Sequence, residues 1–457
     1  MRLLFAILLL LCGAAPATAQ DEAGVRRAFL FAYPVYKLAQ TRAAALAHAR
    51  TDPNGGYNTF VHRQTLSDAT SRAVTTPNND TLYSSAWLDL SGGPVVLEMP
   101  SLPSRYHSVA LMSAFTDNVA VLGSRAQHGR GGRFLLTGPF WRGSVPKGMT
   151  RIALPTDDCW ALLRVLVDGS ADLPAAAAAQ ARFRLTPLAP RQPVRFWDAA
   201  TPAQPSPAEL LAVVNAALGR GPMPHERVGV AAGLARFGIV PGKIDAWSGL
   251  APEVRRAWQE QLPSLLAGLR NGFAAVGTEH NGWSYPRRGM GEFGADDYYR
   301  SAVALGGLAA LPAKEAMYIS GTRDREGALL KGSRRYQLHL PRDIPVDAFW
   351  SLSMYEIAED GRLFFTPNAM GRYAVGNRTS GLRRNADGSL DLLIQHDQPG
   401  LEARANWLPA PPGPFRLTFR AYLPRPAFSS GAFRIDPLIP LTGSVSLQTP
   451  YGGRRNR

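Results

Sequence analysis

Between Phe415 and Leu423 the chain changes chemistry at every step: Phe415, Leu417, Phe419 and Leu423 alternate with Arg416, Thr418, Arg420 and Tyr422. Side chains of a pleated strand point to opposite faces in turn, so a period of two demands a two-faced strand and excludes an amphipathic helix. The pattern recurs twice. Leu82, Ala86, Leu88 and Leu90 oppose Tyr83, Ser85, Trp87 and Asp89, and Trp350, Leu352 and Met354 oppose Phe349, Ser351, Ser353 and Tyr355. A strand with one apolar face needs a second layer against that face, so these stretches belong to packed sheets.

The period holds in two blocks. From Tyr57 to about Gly169, runs such as Val95–Met99 and Cys159–Val167 are separated by turn sequences, among them Ser91-Gly92-Gly93-Pro94 and Pro155-Thr156-Asp157-Asp158. Strands return after Pro312, with Asn385-Ala386-Asp387-Gly388-Ser389 reading as a hairpin turn before Leu390–His396. Short strands at regular turn spacing indicate a sandwich or barrel. Helical spacing occupies the rest. Residues 21–50 read as a helix that Pro34 should kink or interrupt, ended by Asp52-Pro53-Asn54-Gly55-Gly56. The Ala- and Pro-rich stretch 174–205 reads as a connector. Ser206-Pro207-Ala208-Glu209 has the spacing of a capping box, ahead of a helix whose apolar face is Leu210, Leu211, Val214 and Leu218. Further helices are expected over 251–276, broken at Pro263, and over 295–311. The expected fold class is α+β, mainly β: a leader at 1–19, a helix and first β domain at 20–195, a helical region at 196–312 and a second β domain at 313–457.

The leader is read from Met1-Arg2, the apolar run Leu3–Leu11 and the small residues ending Ala17-Thr18-Ala19. One positive charge, a short apolar core and an A-x-A site make a secretory signal peptide. The run is shorter than the ~20 residues of a spanning helix. Cys12 raises lipidation, but Leu11 before it is not small, which favours cleavage after Ala19. No later run is long enough to span a membrane, so the expected product is exported, periplasmic or extracellular. Cleavage leaves Cys159 alone, without a disulfide partner and in an apolar run that suits a buried residue.

The formal net charge is +15 from 50 basic and 35 acidic residues. Only five of the basic residues are lysine, and they are scattered without a nucleic-acid motif, so no nucleic-acid partner is expected. The charge suits salt-dependent adhesion to anionic envelope surfaces. G-x-S-x-G, H-E-x-x-H, G-x-G-x-x-G after a strand and the phosphate-binding G-x-x-x-x-G-K-[ST] are all missing. The eight histidines are isolated, and neither a cofactor nor a metal is expected. Asn385, Asp387, Ser389 and Asp391 alternate like calcium ligands, but Gly388 is misplaced and no closing Glu follows, so they read as a turn.

The densest polar stretch is Thr75–Trp87. It reads either as an Asn/Asp-stabilised turn feeding a strand or as the polar rim of a pocket with an aromatic wall. Arg105-Tyr106 and Arg372-Tyr373 pair a guanidinium fork with a phenol, a combination suited to carboxylate or phosphate unless the arginines serve structural ion pairs. Arg416 and Arg420 argue likewise if the polar face of their strand lines a cavity.

At these residues the chain resembles a family of exported bacterial proteins that pair two domains of unknown function, DUF1254 followed by DUF1214. The first resemblance rests on Pro77-Asn78-Asn79-Asp80-Thr81-Leu82-Tyr83, Ala86-Trp87, Asp89, Gly93-Pro94, Arg105-Tyr106 and the strand through Phe115. The second rests on Ala348-Phe349-Trp350-Ser351-Leu352, Met354-Tyr355, Arg372-Tyr373, Asp387-Gly388-Ser389-Leu390 and Asn406-Trp407-Leu408-Pro409-Ala410-Pro411, with Phe237-Gly238-Ile239-Val240-Pro241-Gly242 between them. It implies two jelly-roll-like β domains joined by a helical region, and no activity. The site expected from the residues is a cleft of the β domains taking a small anionic molecule or acidic glycan. Asp80 is the candidate acid or base, Tyr83 and Arg105 orient the ligand and Trp87 stacks on it. Asn78, Asn79, Tyr106, Arg372, Tyr373 and Arg420 are further contacts. The alternative is a non-catalytic envelope protein that meets cell-surface polymers or partner proteins through an exposed aromatic or basic patch.

Overall fold

The computed structural model describes residues 18–47, 56–72, 74–189, 201–275 and 277–441. Most of the expected leader, the turn at 52–55 and the connector over 190–200 lie outside them. Among the described residues the chain is α+β, with 20 strands in four sheets and seven helices, and no sheet closes into a barrel.

The first block makes a two-sheet sandwich. Strands β1 (Val61–Arg63), β2 (Thr81–Asp89), β4 (His107–Ser113), β5 (Asn118–Gly123) and β8 (Asp158–Leu166) form one sheet, and β3 (Val95–Met99), β6 (Gly132–Thr137), β7 (Met149–Ala153) and β9 (Arg184–Pro187) the other. Their orders are β1-β2-β8-β4-β5 and β7-β6-β3-β9. Leu82, Leu97, Val109, Leu136 and Leu163 fill the space between them, so the face expected to be apolar is the inner one. Cys159 is part of this core, and burial pushes its thiol well above the ordinary value. The stretch expected to be a bare connector contributes α2 (Leu173–Gln180) and β9. Its alanines pack under the sandwich, and β9 pairs with β3.

The second block repeats the plan. Its larger sheet runs β10 (Thr278–His280), β11 (Trp283–Tyr285), β12 (Ala316–Gly321), β19 (Phe415–Pro424), β14 (Val346–Ile357), β15 (Leu363–Phe364), with β16 (Ala374–Gly376) also on β14. Its smaller sheet runs β18 (Trp407–Pro409), β17 (Leu390–Gln395), β13 (Arg335–Leu340), β20 (Ile439–Leu441). Trp350, Leu352, Leu338, Ile394, Leu417 and Phe419 fill the interior. Strands β10 and β11 come from the region expected to be helical. The Asn385–Ser389 segment is a turn: the Asp387 carboxylate accepts from the Ser389 amide and hydroxyl, and Gly388 sits at φ +85°.

A helical layer of α1 (Ala19–Leu46), α3 (Pro207–Leu218), α4 (His225–Gly233), α5 (Pro252–Ala275) and α6 (Asp297–Gly306) shares its own core. A short α7 (Pro426–Ser430) follows β19. Ser206 and Glu209 make the expected capping box on α3, and Thr18 and Asp21 make one on α1. The expected interruption at Pro34 does not occur. Proline removes the donor that would serve the Leu30 carbonyl, and Ser301 of α6 replaces it, donating its hydroxyl to Leu30 at 2.8 Å. Helix α5 likewise runs through Pro263; the carbonyl freed there belongs to Gln259, an exposed residue.

Candidate site at the seam of the two sandwiches

The sheet faces turned away from the two cores meet each other. On the first sandwich, strands β4, β8 and β2 lay side chains in rows set by their register. Ser108, Arg164 and Tyr83 form one row, Ala110, Leu162 and Ser85 the next, and Met112, Trp160 and Trp87 the third. On the second, strands β12, β19 and β14 give the rows Ala316, Tyr422, Phe349 and then Tyr318, Arg420, Ser351. These are the polar faces that alternation had assigned.

The Thr75–Asp80 turn is clamped between the sandwiches. Asn78 donates to the Tyr422 hydroxyl at 2.8 Å and to the Tyr83 hydroxyl at 3.2 Å. Its own side-chain oxygen accepts from the Asp80 amide at 2.8 Å, an Asx turn. Ser351 donates to the Asp80 carboxylate at 2.6 Å, Tyr355 to the Pro77 carbonyl at 2.5 Å and Arg420 to the Thr76 carbonyl at 3.3 Å. Beside this clamp Tyr106 donates to Glu315 at 3.0 Å, and Phe349 stacks on Tyr422 with centroids 4.1 Å apart.

Two guanidinium groups stand out by what they lack. Arg420 is 3% exposed and donates to the hydroxyls of Ser353 and Tyr355, each at 2.6 Å. Arg164 is 4% exposed; its Nη2 donates to the Ala309 carbonyl at 2.9 Å, and its carbon lies 5.2 Å from the Tyr83 ring centroid. Among the described residues neither makes a salt bridge, and the buried Nη1 of Arg164 has no hydrogen-bond partner. The carboxylates of Asp80 and Glu315 act on Arg420 and Arg164 only through space, without a direct ion pair, and an orphaned donor on a buried cation is costly.

The cations act on the phenols around them. Burial pushes the Tyr83 hydroxyl up, but Arg164, the Asn78 hydrogen bond and Arg420 outweigh burial and hold it below the ordinary phenol value. Tyr422, also buried and facing Tyr83 and Asp80, lies well above it. Burial and Glu315 raise Tyr106 likewise. Burial also raises Glu315, against the pull of Arg125, 2.7 Å away.

Of the residues singled out in the sequence, Asn78, Asp80, Tyr83, Tyr106 and Arg420 converge here. Asn79 is half-buried beside Asn78, its side-chain oxygen without a partner. Arg105 lies at the edge in a fork-to-carboxylate pair with Asp172, its Nη2 to Oδ1 distance 2.7 Å. Trp87 stacks on Trp160 at 4.9 Å, two rows from Arg164. Arg372 is elsewhere, donating to the carbonyls of Arg404, Ala405 and Trp407, while Tyr373 stacks on Phe365 at the periphery. Arg164, Tyr318 and Glu315 were not singled out. A lone charge inside the apolar run Trp160–Val167 was the available signal for Arg164. A groove of about 270 Å³ lies apart, in the helical region, lined by Arg236, Val240, Lys243, Leu250 and Val254. Among the described residues no cluster of His, Cys, Asp or Glu is placed to hold a metal, and no helix is long and apolar enough to cross a membrane.

Residues 57–187 match the model of DUF1254 and residues 315–426 that of DUF1214, each described as a protein of unknown function. No curated protein matches the sequence. The crystal structure of the VPA0106 protein from Vibrio parahaemolyticus is similar with a TM-score of 0.70 at 22% identity, over 92% of this chain and 100% of that one. The crystal structure of an uncharacterized protein from Burkholderia cenocepacia gives a TM-score of 0.44 at 12% identity, over 92% and 93%. The fold is thus shared with the Vibrio protein, and the chain belongs to the proteins that join an N-terminal DUF1254 domain to a C-terminal DUF1214 domain, an architecture of unknown function.

Proposed function

We propose that this is an exported protein that binds a small anionic ligand at the seam of its two sandwiches. The observation that carries the reading is the pair of buried cations, Arg164 and Arg420, held by neutral groups, with one Arg164 donor unused. An incoming carboxylate or phosphate would supply a direct ion pair and the acceptor that Arg164 lacks at once. Tyr83, Tyr318, Tyr422 and Asn78 surround the same point with hydroxyl and amide groups that fix orientation. Asp80, held by Ser351, is the acid or base for any proton transfer there. The enclosure of the seam favours a small molecule over an acidic glycan. Arg105, paired with Asp172, shapes the edge rather than the contact. Export rests on the Met1–Ala19 leader and is tested by the N-terminal sequence of the secreted product.

A thermal-shift and calorimetric screen of the mature protein against acetate, benzoate, phosphate, sulfate and a uronic acid tests the ligand reading. At least one anion should raise the melting temperature, and Arg164→Met and Arg420→Met should abolish the rise while Arg372→Ala keeps it. If no anion shifts melting, or both seam variants respond like wild type, the reading is wrong.

A further inference from the structure

We infer that the ligand is an amphipathic carboxylate, its head on the arginines and an aromatic or aliphatic body lying along β2 and β8 toward the Trp87–Trp160 pair. The inference rests on the seam reading above and deepens it. Its basis is the gradient of the first sandwich's outer face. One row carries Arg164 and Tyr83, the next Leu162 and Ser85, the third Trp160 and Trp87. Two steps of two residues along a strand put the indole row about 14 Å from the guanidinium row, the length of a short arylalkanoate with its contacts.

Residual accessibility, a strained carbonyl and unpartnered polar atoms mark that line, although Trp87 and Leu162 themselves are only 5% and 7% exposed. Tyr83, Ser85 and Trp160 keep accessible surface although they sit on interior strands, and so does Tyr318 opposite them. Leu308 and Leu46, also partly accessible, pack against the apolar group formed by Leu38, Trp87, Met112, Leu162 and Ala309. Ala309 holds φ +69°, a strained conformation for a residue with a side chain, and in it gives its carbonyl to Arg164. The buried polar atoms left without partners in the two end rows are Arg164 Nη1 and Ser108 Oγ at one end and Trp87 Nε1 at the other, and each can donate. Trp160 spends its own indole N–H on Ser85 at 2.8 Å and one ring face on Trp87, which leaves its other face for stacking.

The test is calorimetry on the full mature chain with acetate, benzoate, 3-phenylpropanoate, phosphate and the neutral 3-phenylpropanol, against wild type, Arg164→Met, Trp160→Ala and Ser85→Leu. The last variant fills the track from a half-exposed position and stands in should Trp160→Ala fail to fold. Affinity should rise at least tenfold from acetate to 3-phenylpropanoate, and the alcohol should bind at least tenfold more weakly than the acid. Trp160→Ala or Ser85→Leu should erase the gain from the phenyl group and leave acetate unchanged. Should phosphate or acetate bind as tightly as the arylalkanoate, with both track variants neutral and Arg164→Met inactive, the anion site stands and the amphipathic ligand is refuted. Should no anion bind at all, the seam reading itself fails.

Discussion

Strand β19 has two faces that are equally buried and otherwise opposite. Phe415, Leu417, Phe419 and Ala421 point into the second sandwich; Thr418, Arg420 and Tyr422 point into the seam. Phe419 and Tyr422 are both 0% exposed and Arg420 only 3%, so burial does not separate the faces. What separates them is how much each asks of its neighbours. The inner face needs only volume and shape, and Trp350 stacked 5.4 Å from Phe419 supplies both. The seam face needs a partner for every polar atom, and on the facing sandwich it falls short at Arg164. Natural sequences rarely keep a buried cation without a direct ion pair for stability alone, since apolar residues of similar volume often serve as well or better.

The largest expected effect comes from the inner face. Phe419→Ala should cost about 3–5 kcal/mol in chemical denaturation, as large-to-small core changes do. A cost under about 1 kcal/mol would mean the inner face is not the better-packed one. Next comes Tyr106→Phe, which strips a donor from buried Glu315 and should cost about 1–3 kcal/mol. Arg164→Met should cost less than either, about 1 kcal/mol at most, because losing the unpaired charge offsets losing the Ala309 hydrogen bond. A cost near that of Phe419→Ala would make Arg164 a structural residue and erase the contrast between the faces.

Smaller effects sharpen the comparison through pH. The hydrogen bond from Arg105 holds the Asp172 carboxyl below its ordinary 3.8, against partial burial. A depressed folded value adds stability that is complete above pH 3.8 and is lost as pH falls through the folded value. Asp172→Asn should therefore lower stability at neutral pH and flatten its decline below pH 4. A denaturation series showing equal acid slopes in both proteins would contradict the pair's role. Least in magnitude, absorbance titration should find Tyr83 ionising below the ordinary phenol value of 10.0, and Tyr83→Phe should delete that earliest step.

Alternation of side chains carried most of the fold that matters for the site. It assigned the faces of β2, β14 and, apart from Leu423, β19 correctly, because each strand runs long enough for a period of two to show. It also gave Tyr83 and Arg420 to the polar side, while Asp80 came from the polar turn ahead of β2. Reading failed where structure depends on distant pairing. β10 and β11 are three residues each, too short for any period, and exist through the ladder to β12. Arg164 was passed over because an apolar run reads as core on both faces, whereas β8 has one face in the sandwich and the other in the seam. Leu423, expected with the inner residues, packs at the seam because its backbone turns to φ +51°. Nothing local separates Arg105, bound to Asp172 67 residues away, or Arg372, bound to carbonyls 32 to 35 residues away, from a ligand-holding arginine.

The hydroxyl that Ser301 lends to the Leu30 carbonyl crosses 271 positions of sequence. Helix α1 carries a proline at its middle and receives its replacement donor from a residue 271 positions later. Its buried face reaches similarly far, since Phe29 and Val35 pack in one core with Trp258, Ala302 and Val303. An N-terminal segment so dependent on late-made neighbours has little to hold it in shape alone. The opening helix therefore draws its hydrogen-bond donor and much of its packing from residues more than 200 positions later in sequence.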